Sequence, residues 1–378
     1  MTLDELRNEI DEIDRQLIEL FAKRMQAIES VAVIKKENGL TIYNSSRERA
    51  IIERVQSSVE PKFSFYASSF CSHLLELSKA LQREIISQGH TNEYFTAIIN
   101  TIRKEVINPR VCVQGAIGSY SMEAAQMMYP DCQITHLSKW KDVLNDVEAG
   151  ICDYGVLPVE NSSAGSVNEV YDLLIKHRHF IVKALPLSVD HYLLGIRGAN
   201  LNDITNVYSH AHAFPQCSEF FAKHYKLQKI AFANTAMAAE FVAKAGRKDY
   251  AAIAAKECAH IYGLDIIAKS IQMNSDNTTR FVSVSKIPEI DDNANKISIV
   301  FTLPHLTGSL YRTLSRFALA GLNLNKIESR PNAEKNFEYY FYVDFTGSIK
   351  SKNILTLLSA LKDELPVFAF LGNYSEKQ

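Results

Sequence analysis

The sequence predicts three folds in series: an all-α segment, an α/β segment and a small α+β sandwich. Three observations carry this. Apolar residues recur at helical spacing through the first ninety positions. From Arg110 onward, short β-branched runs alternate with helical stretches, the pattern of an α/β domain with largely parallel strands. Beyond a polar stretch at 288–295, the order strand, helix, strand, strand, helix, strand is that of a ferredoxin-like sandwich.

Leu3, Leu6, Ile10, Ile13, Leu17, Leu20, Phe21, Ile28, Val31 and Ile34 fall at three- and four-residue steps, which predicts one amphipathic helix over 3–37. Asn38-Gly39 supplies its left-handed stop. At ~1.5 Å per residue the helix is roughly 50 Å long, too long for an ordinary compact domain, so it needs partner helices from a second subunit. Ser45-Ser46-Arg47-Glu48 reads as a capping box opening a second helix, and Pro61 breaks it. A third helix runs from about Phe63 to Ser87, and a connecting helical stretch from Asn92 to Val106 ends at Asn108-Pro109.

In the α/β segment, Arg110–Val113 and Tyr154–Pro158 read as strands, and Met122–Tyr129 and Asn168–Lys176 as helices; the alternation continues to about Ser285. The last segment reads as strand Ile297–Leu303, helix Ser309–Ala320, strands Leu324–Ser329 and Phe337–Phe345, helix Ser351–Asp363 and strand Val367–Leu371. The domains expected are 1–90, 109–286 and 295–375, with a helical linker at 91–108.

Of the 378 residues, 47% are hydrophobic and 22% charged, an ordinary balance for a globular protein. A net charge of -2 and no basic patch with interleaved aromatics argue against nucleic acid as a partner. No apolar run approaches bilayer length, and the acidic N-terminus lacks the order of a signal peptide. Cysteines 71, 112, 132, 152, 217 and 258 form no Cys-x-x-Cys pair. Unpaired thiols in the cytoplasm are expected, with no disulfide frame and no zinc site.

Arg24 and Lys35 are eleven residues apart, nearly on one helix face and roughly 16 Å apart along the axis, so their long side chains can bend inward around a small dianion. Arg7 lies off that face and suits a neighbouring subunit's pocket. Ser78 and Gln82, four apart, share a face of the third helix. Singly, each is also what a solvated helix face carries, and Glu48 has a sufficient role in the capping box.

As a set, Arg7, Arg24, Lys35, Arg47, Glu48, Ser78 and Gln82 match in order and spacing the all-helical chorismate mutases, which residues 1–90 resemble. The resemblance implies an intertwined dimer. It gives carboxylate binding to Arg7 of the second subunit, Arg24 and Arg47, the ether oxygen to Lys35 and Gln82, and the ring hydroxyl to Glu48. Where the family has an acidic residue three before the Arg-Glu pair, this chain has Asn44, which still accepts a hydrogen bond but carries no charge. A pericyclic rearrangement needs no nucleophile; it needs a clamp and donors aimed at developing charge.

Gly115–Ser121 follows a strand and could offer amides to an anion, yet it lacks the lysine of a P-loop and the third glycine of a dinucleotide fingerprint. Pro158–Gly165 and Tyr208–Cys217 are denser in polar groups; His210 and His212 have no third ligand at metal spacing. Asn277-Thr278-Thr279-Arg280-Phe281 completes the series. A capped turn or a strand surface explains each alone. Together, in this order, they resemble prephenate dehydratase over about 109–286, most specifically at Glu160-Asn161-Ser162 and Thr279-Arg280-Phe281. The resemblance implies two lobes like the type II periplasmic binding proteins. It puts Thr279 on the departing hydroxyl, and lines the cleft with Glu160, Asn161, Ser162, Ser209, His210, Gln216, Arg280 and Phe281.

In the last segment, Gly308-Ser309-Leu310-Tyr311 and Glu328-Ser329-Arg330-Pro331 read locally as a tight turn and a salt-bridged strand edge. They resemble the Gly-Ala-Leu-Val and Glu-Ser-Arg-Pro motifs of the ACT regulatory domain, which implies a phenylalanine site at Gly308, Ser309, Leu310, Glu328, Ser329 and Arg330. The whole resembles the bifunctional P-proteins: chorismate and prephenate as substrates, phenylalanine as effector, no cofactor and no metal, and a homodimer or larger homo-oligomer. Two other readings stay open on the residues: a dehydratase whose helical segment only dimerises, and a non-catalytic amino-acid sensor.

Overall fold

A computed structural model describes residues 1–87, 92–101, 106–274, 276–332 and 338–376. The chain divides into two compact units, Met1–Asn100 with Phe301–Phe368, and Thr101–Val300 with Ala369–Gln378. No helix among the described residues is long and apolar enough to cross a membrane.

The first unit opens with α1 (Leu3–Glu37), 35 residues long. The Thr2 hydroxyl accepts from the Glu5 amide and the Glu5 carboxylate from the Thr2 amide, a reciprocal cap. Asn38 ends it and Gly39 follows at φ +60°. Ala32 alone on α1 is buried, while Leu3, Leu6, Ile10, Ile13, Leu17 and Leu20 stand exposed in this chain. Helix α2 (Ser45–Ser57) is capped by Asn44, whose Oδ1 accepts from the Arg47 amide at 3.0 Å. This corrects the expected box: the cap lies one residue earlier, and Glu48 plays no part in it. A 3-10 turn at Pro61–Phe63 leads into α3 (Ser64–Ser87). Helix α4 (Glu93–Ile99) is shorter than the helical linker expected. Positions 91 and 102–105 of that linker lie outside the described residues.

The second unit carries two lobes. The first lobe comprises β1 (Arg110–Gln114), α5 (Tyr120–Met128), β2 (Gln133–Leu137), α6 (Trp140–Glu148), β3 (Tyr154–Asn161), β4 (Gly165–Ser166), α7 (Asn168–His177) and β5 (Phe180–Ser188). The chain then crosses to β6 (Tyr192–Gly195), β7 (Asn206–His210), α8 (Ala213–Gln216), α9 (Ser218–Lys223), β8 (Gln228–Phe232), α10 (Thr235–Ala245), β9 (Tyr250–Ala254), α11 (Lys256–Tyr262) and β10 (Asp265–Ala268). It returns as β11 (Thr278–Ser285). The sheets run β5-β11-β3-β1-β2, with β4 beside β3, and β10-β6-β9-β7-β8.

Both sheets are mixed, which corrects the expectation of largely parallel strands. β1 is parallel to β2 and β3, but β11 is antiparallel to β3 and β5 because it re-enters from the second lobe. The two crossings are tied together: the Val189 amide donates to the Asn277 carbonyl and the Ile271 amide to that of His191. Separate cores hold the lobes, one around Val111, Val156 and Phe281, the other two around Leu194 and Ala238 and around Leu193 and Ile253. Each fully buried aliphatic side chain contributes about 1.5–3 kcal/mol.

Cys112 on β1 and Cys152 before β3 form a disulfide, with Cα atoms 6.0 Å apart. The expectation of six unpaired thiols is therefore corrected at one pair. Asp146 lies beside them, but the disulfide consumes both thiols that could have held an ion.

The C-terminal elements are β12 (Lys296–Thr302), α12 (Ser309–Leu319), β13 (Leu324–Pro331), β14 (Tyr339–Thr346), α13 (Lys352–Glu364) and β15 (Phe368–Glu376), the order expected. Phe337, where the third strand of this segment was expected to start, lies outside the described residues. β13 and β14 pair antiparallel. The end of β15 runs parallel to β5 through Ser375 and Glu376. That approach requires Gly372, at φ +154°, since a Cβ there would sit 2.1 Å from the Ile181 carbonyl oxygen.

Candidate functional sites

On the helices, Arg24 reaches from α1 to α3: Nη1 donates to Ser78 Oγ at 2.5 Å and lies 3.4 Å from the Leu74 carbonyl. Lys35, three turns on, donates to the Ile42 carbonyl at 2.8 Å. Burial holds its amine below the ordinary lysine value; the Arg47 charge adds to this and the Glu48 charge opposes it. Those two charges therefore face Lys35. Ser78 and Gln82 are 2% and 5% exposed. Gln82 donates to the Ser78 carbonyl at 3.2 Å, while its buried Oε1 has no partner among the described residues. Arg7 stands at the far end of α1, 65% exposed and paired with Asp4. Asn44 is spent on the α2 cap, accepting also from Ser46 Oγ at 2.8 Å. Lys79 was missed in the sequence; it pairs with Glu48 at 3.1 Å. A lone lysine on a helix reads as solvated, and no local signal marks it as buried.

In the second unit, β3 and β11 pair so that Asn161 stands opposite Thr279. The Asn161 amide donates to Thr279 Oγ1 and to Asn277 Oδ1, both at 2.9 Å. Its carbonyl accepts from the amides of Ser163 and Ala164, which locks the side chain. Ser162 bridges to the same strand, donating to the Asp276 carbonyl and accepting from the Thr278 amide. Gln216 accepts from His191 Nε2 at 2.8 Å and from Asn277 at 3.5 Å. Thus Asn161, Ser162, Gln216 and Thr279 converge where the chain crosses between lobes, the usual ligand position of such folds.

His191 and Asn277, both buried, complete this cluster; Asn277 was read only as the first residue of the 277–281 motif, and His191 was not singled out. They sit on the crossings, where no periodicity marks a residue. Burial pushes the His191 imidazole below its ordinary pKa, with the Gln216 bond opposing. From the first lobe, the turn before α5 touches α11: Tyr262 donates to the Ile117 carbonyl and Cys258 to that of Gly118.

The other five expected cleft residues stand outside this hydrogen-bonded cluster. Arg280 alternates to the opposite side from Thr279, pairs with Glu376 at 2.6 Å and donates to Tyr374. Glu160 stands opposite Arg280 in the strand register. Phe281 is buried in the first-lobe core. Ser209 is fully buried, its hydroxyl donating to the Ile253 carbonyl at 2.8 Å. His210 is half-buried; burial lowers its pKa, and His212 adds to the shift.

At the C-terminal motifs, Gly308 caps α12 at φ +79°, a left-handed position suited to glycine. Ser309 Oγ accepts from Arg312 at 3.2 Å. A hollow of about 470 Å³ beside them is lined by Leu303, Leu306, Ser309, Leu310, Tyr339 and Phe341. Ser329 pairs with Phe341 across β13–β14, on the strand that lines the hollow. Glu328 and Arg330 alternate to the other face, where Glu328 pairs with Lys326 at 3.4 Å. The salt-bridged edge expected there uses Lys326.

Known proteins resemble this chain in the same segments. The family model described as prephenate dehydratase matches residues 111–289, and that described as chorismate mutase type II matches 6–106. The bifunctional chorismate mutase/prephenate dehydratase of Aquifex aeolicus (strain VF5) is 30% identical over 374 residues, 98% of this chain and 97% of that one. Arogenate dehydratase/prephenate dehydratase 1, chloroplastic, of Arabidopsis thaliana is 38% identical over 281 residues, covering 70% of this chain and 71% of the plant protein. The crystal structure of prephenate dehydratase in complex with L-Phe from Arthrobacter aurescens superposes with a TM-score of 0.65 at 29% identity, over 70% of this chain and 90% of that one.

Proposed function

The chain belongs to the bifunctional chorismate mutase/prephenate dehydratase family, and from that membership we propose how its residues divide the two reactions. It rearranges chorismate to prephenate, then converts prephenate to phenylpyruvate with loss of carbon dioxide and water.

For the first reaction, Arg24, Arg47 and a second subunit's Arg7 hold the carboxylates. Lys35 and Gln82 donate to the ether oxygen, and Glu48 takes the ring hydroxyl. The reach of Arg24 to Ser78 and the charges facing Lys35 support this. Holding the dianion folded removes orientational entropy from the barrier, and donors at the oxygen stabilise its developing charge. Asn44 keeps the α2 cap as well as an aspartate does, so the fold survives the change while substrate binding weakens. The uncovered apolar stripe of α1 supports a homodimer or larger homo-oligomer.

For the second reaction, the carrying observation is the Asn161–Thr279 hydrogen bond, which joins two motifs 118 residues apart. Because Asn161 supplies the hydrogen that Thr279 accepts, the threonine's own O–H is free to point at the departing ring hydroxyl. That donation makes hydroxide a better leaving group while aromatisation drives out carbon dioxide. The amides and hydroxyls around 160–165 receive the carboxylates, and Arg280 anchors β15 through Glu376.

Phenylalanine binds in the hollow beside Gly308, Ser309 and Leu310, with Ser329 opposite Phe341 of its wall, and inhibits, as end products do when they favour a less active arrangement. The relative solved with L-Phe bound supports this. Ultraviolet absorbance tests the assignment: the purified chain yields prephenate from chorismate and phenylpyruvate from prephenate, both less with phenylalanine. A chain that binds chorismate without forming prephenate would reduce the helices to a dimerisation module. One that turns over neither substrate would be a sensor.

A further inference from the structure

Glu48, the residue assigned to the ring hydroxyl, is itself held by a buried lysine. Lys79 follows Ser78 on α3 and is 5% exposed; its Nζ lies 3.1 Å from Glu48 and 2.7 Å from Glu76, which is 4% exposed. A buried ammonium is retained where it is paired, and this one is paired twice. The charges continue beyond it. Glu76 attracts Arg316 of α12. Arg316 pairs with Glu364 of α13 at 2.5 Å, and Glu364 accepts two bonds from Arg83, at 2.8 and 3.2 Å. Arg83 is the residue after Gln82. Signs therefore alternate along Glu48, Lys79, Glu76, Arg316, Glu364 and Arg83, beginning and ending beside proposed catalytic positions. Helix α12, which carries Arg316, begins at the Gly308-Ser309-Leu310 motif. A cavity of about 740 Å³ follows the same path, with Tyr43, Glu76, Lys79, Arg83, Arg312 and Arg316 in its wall.

We propose that Lys79 is a positioning residue of the mutase site, and that the alternating charges running from it to α12 and α13 let the regulatory helices set where it stands. The proposal rests on the mutase reading above. Lys79 fixes the Glu48 carboxylate and cancels its repulsion of a dianionic substrate. In a partly buried series of alternating charges, shifting one member leaves its neighbours less well compensated, so a displacement of α12 is felt at Glu48.

The test uses the full chain. Lys79→Met lowers mutase kcat/KM at least tenfold, mainly through KM; Lys79→Arg restores part of it. Dehydratase kcat/KM stays within twofold and serves as the control for folding. If Lys79→Met does not fold, the double variant Lys79→Met/Glu76→Gln removes the buried pair together and is read in the same way. Glu364→Gln keeps phenylalanine inhibition of the dehydratase but weakens that of the mutase at least fivefold. A folded Lys79 variant with mutase kcat/KM within twofold of wild type overturns the positioning role. An unchanged phenylalanine response in Glu364→Gln, or a wild-type mutase indifferent to phenylalanine, overturns the coupling. A wild type that makes no prephenate sinks the mutase reading and this proposal with it.

Discussion

Asn161 and Thr279 face each other across the antiparallel β3–β11 pair, and the asparagine amide donates to the threonine hydroxyl at 2.9 Å. Since Thr279 accepts in this bond, its own O–H remains to donate elsewhere. Thr279→Val keeps the shape and removes the donor, so dehydratase kcat/KM falls about 10²–10⁴-fold while mutase turnover stays constant. Thr279→Ser retains most of the activity. Separate assays with prephenate and chorismate check both statements; equal losses in the two would disprove the assignment.

Lys35 must be charged to donate to the ether oxygen, and burial makes its proton easier to lose. Mutase kcat/KM therefore declines as pH rises, with an apparent pKa below the ordinary lysine value of about 10.4. Lys35→Arg moves that decline to higher pH. A profile that stays flat up to the ordinary lysine pKa would count against the role of Lys35.

Arg7 and Arg24 sit too far apart along α1 to serve one pocket in one chain. Arg7→Ala and Arg24→Ala homodimers each lose mutase activity, by about 10²-fold or more for a lost charged contact. Mixing the two chains through reversible unfolding restores activity, since one of the two sites in a heterodimer is intact. If the mixture stays as inactive as its parents, Arg7 does not act across subunits.

His191 is held neutral in its buried position at neutral pH, donating to Gln216 while its Nδ1 has no partner among the described residues. Its folded pKa lies below the ordinary ~6.5, so its contribution to stability is present above that value and lost as pH falls through the folded pKa. Dehydratase activity and thermal stability should hold at neutral pH and fall as pH drops below the ordinary histidine value of about 6.5. His191→Gln should flatten the acid limb; an unaltered limb assigns it to another group.

The Cys112–Cys152 bond leaves four of the six cysteines free, at 71, 132, 217 and 258. Thiol titration in denaturant should therefore count four before reduction and six after. With the partners 40 positions apart in the chain, reduction should cost the unit on the order of 4 kcal/mol. Six thiols before reduction would remove the bond from the account.

Much of this site was legible in the sequence because helical and strand periodicities are local. Leu3 through Ile34 mark α1 within one turn of its ends, and the βαββαβ order follows from residues that are neighbours in the chain. Arg280 was misread because a strand turns adjacent residues to opposite faces, and nothing local says which face meets the cleft. The disulfide was missed for the same kind of reason: its halves are 40 residues apart and meet only because β1 and β3 lie side by side.

From the residues alone came the three folds in series, which are written in short-range spacing, while family resemblance marked the cationic set on the helices and the separate motifs at 160–162 and 279–281. Tertiary structure alone decided that Asn44 caps α2, that His191 and Asn277 join the Thr279 cluster, and that Lys79 is buried between Glu48 and Glu76. Burial and pairing depend on elements distant in the chain, and a side chain's charge or polarity does not reveal whether water or a partner will meet it.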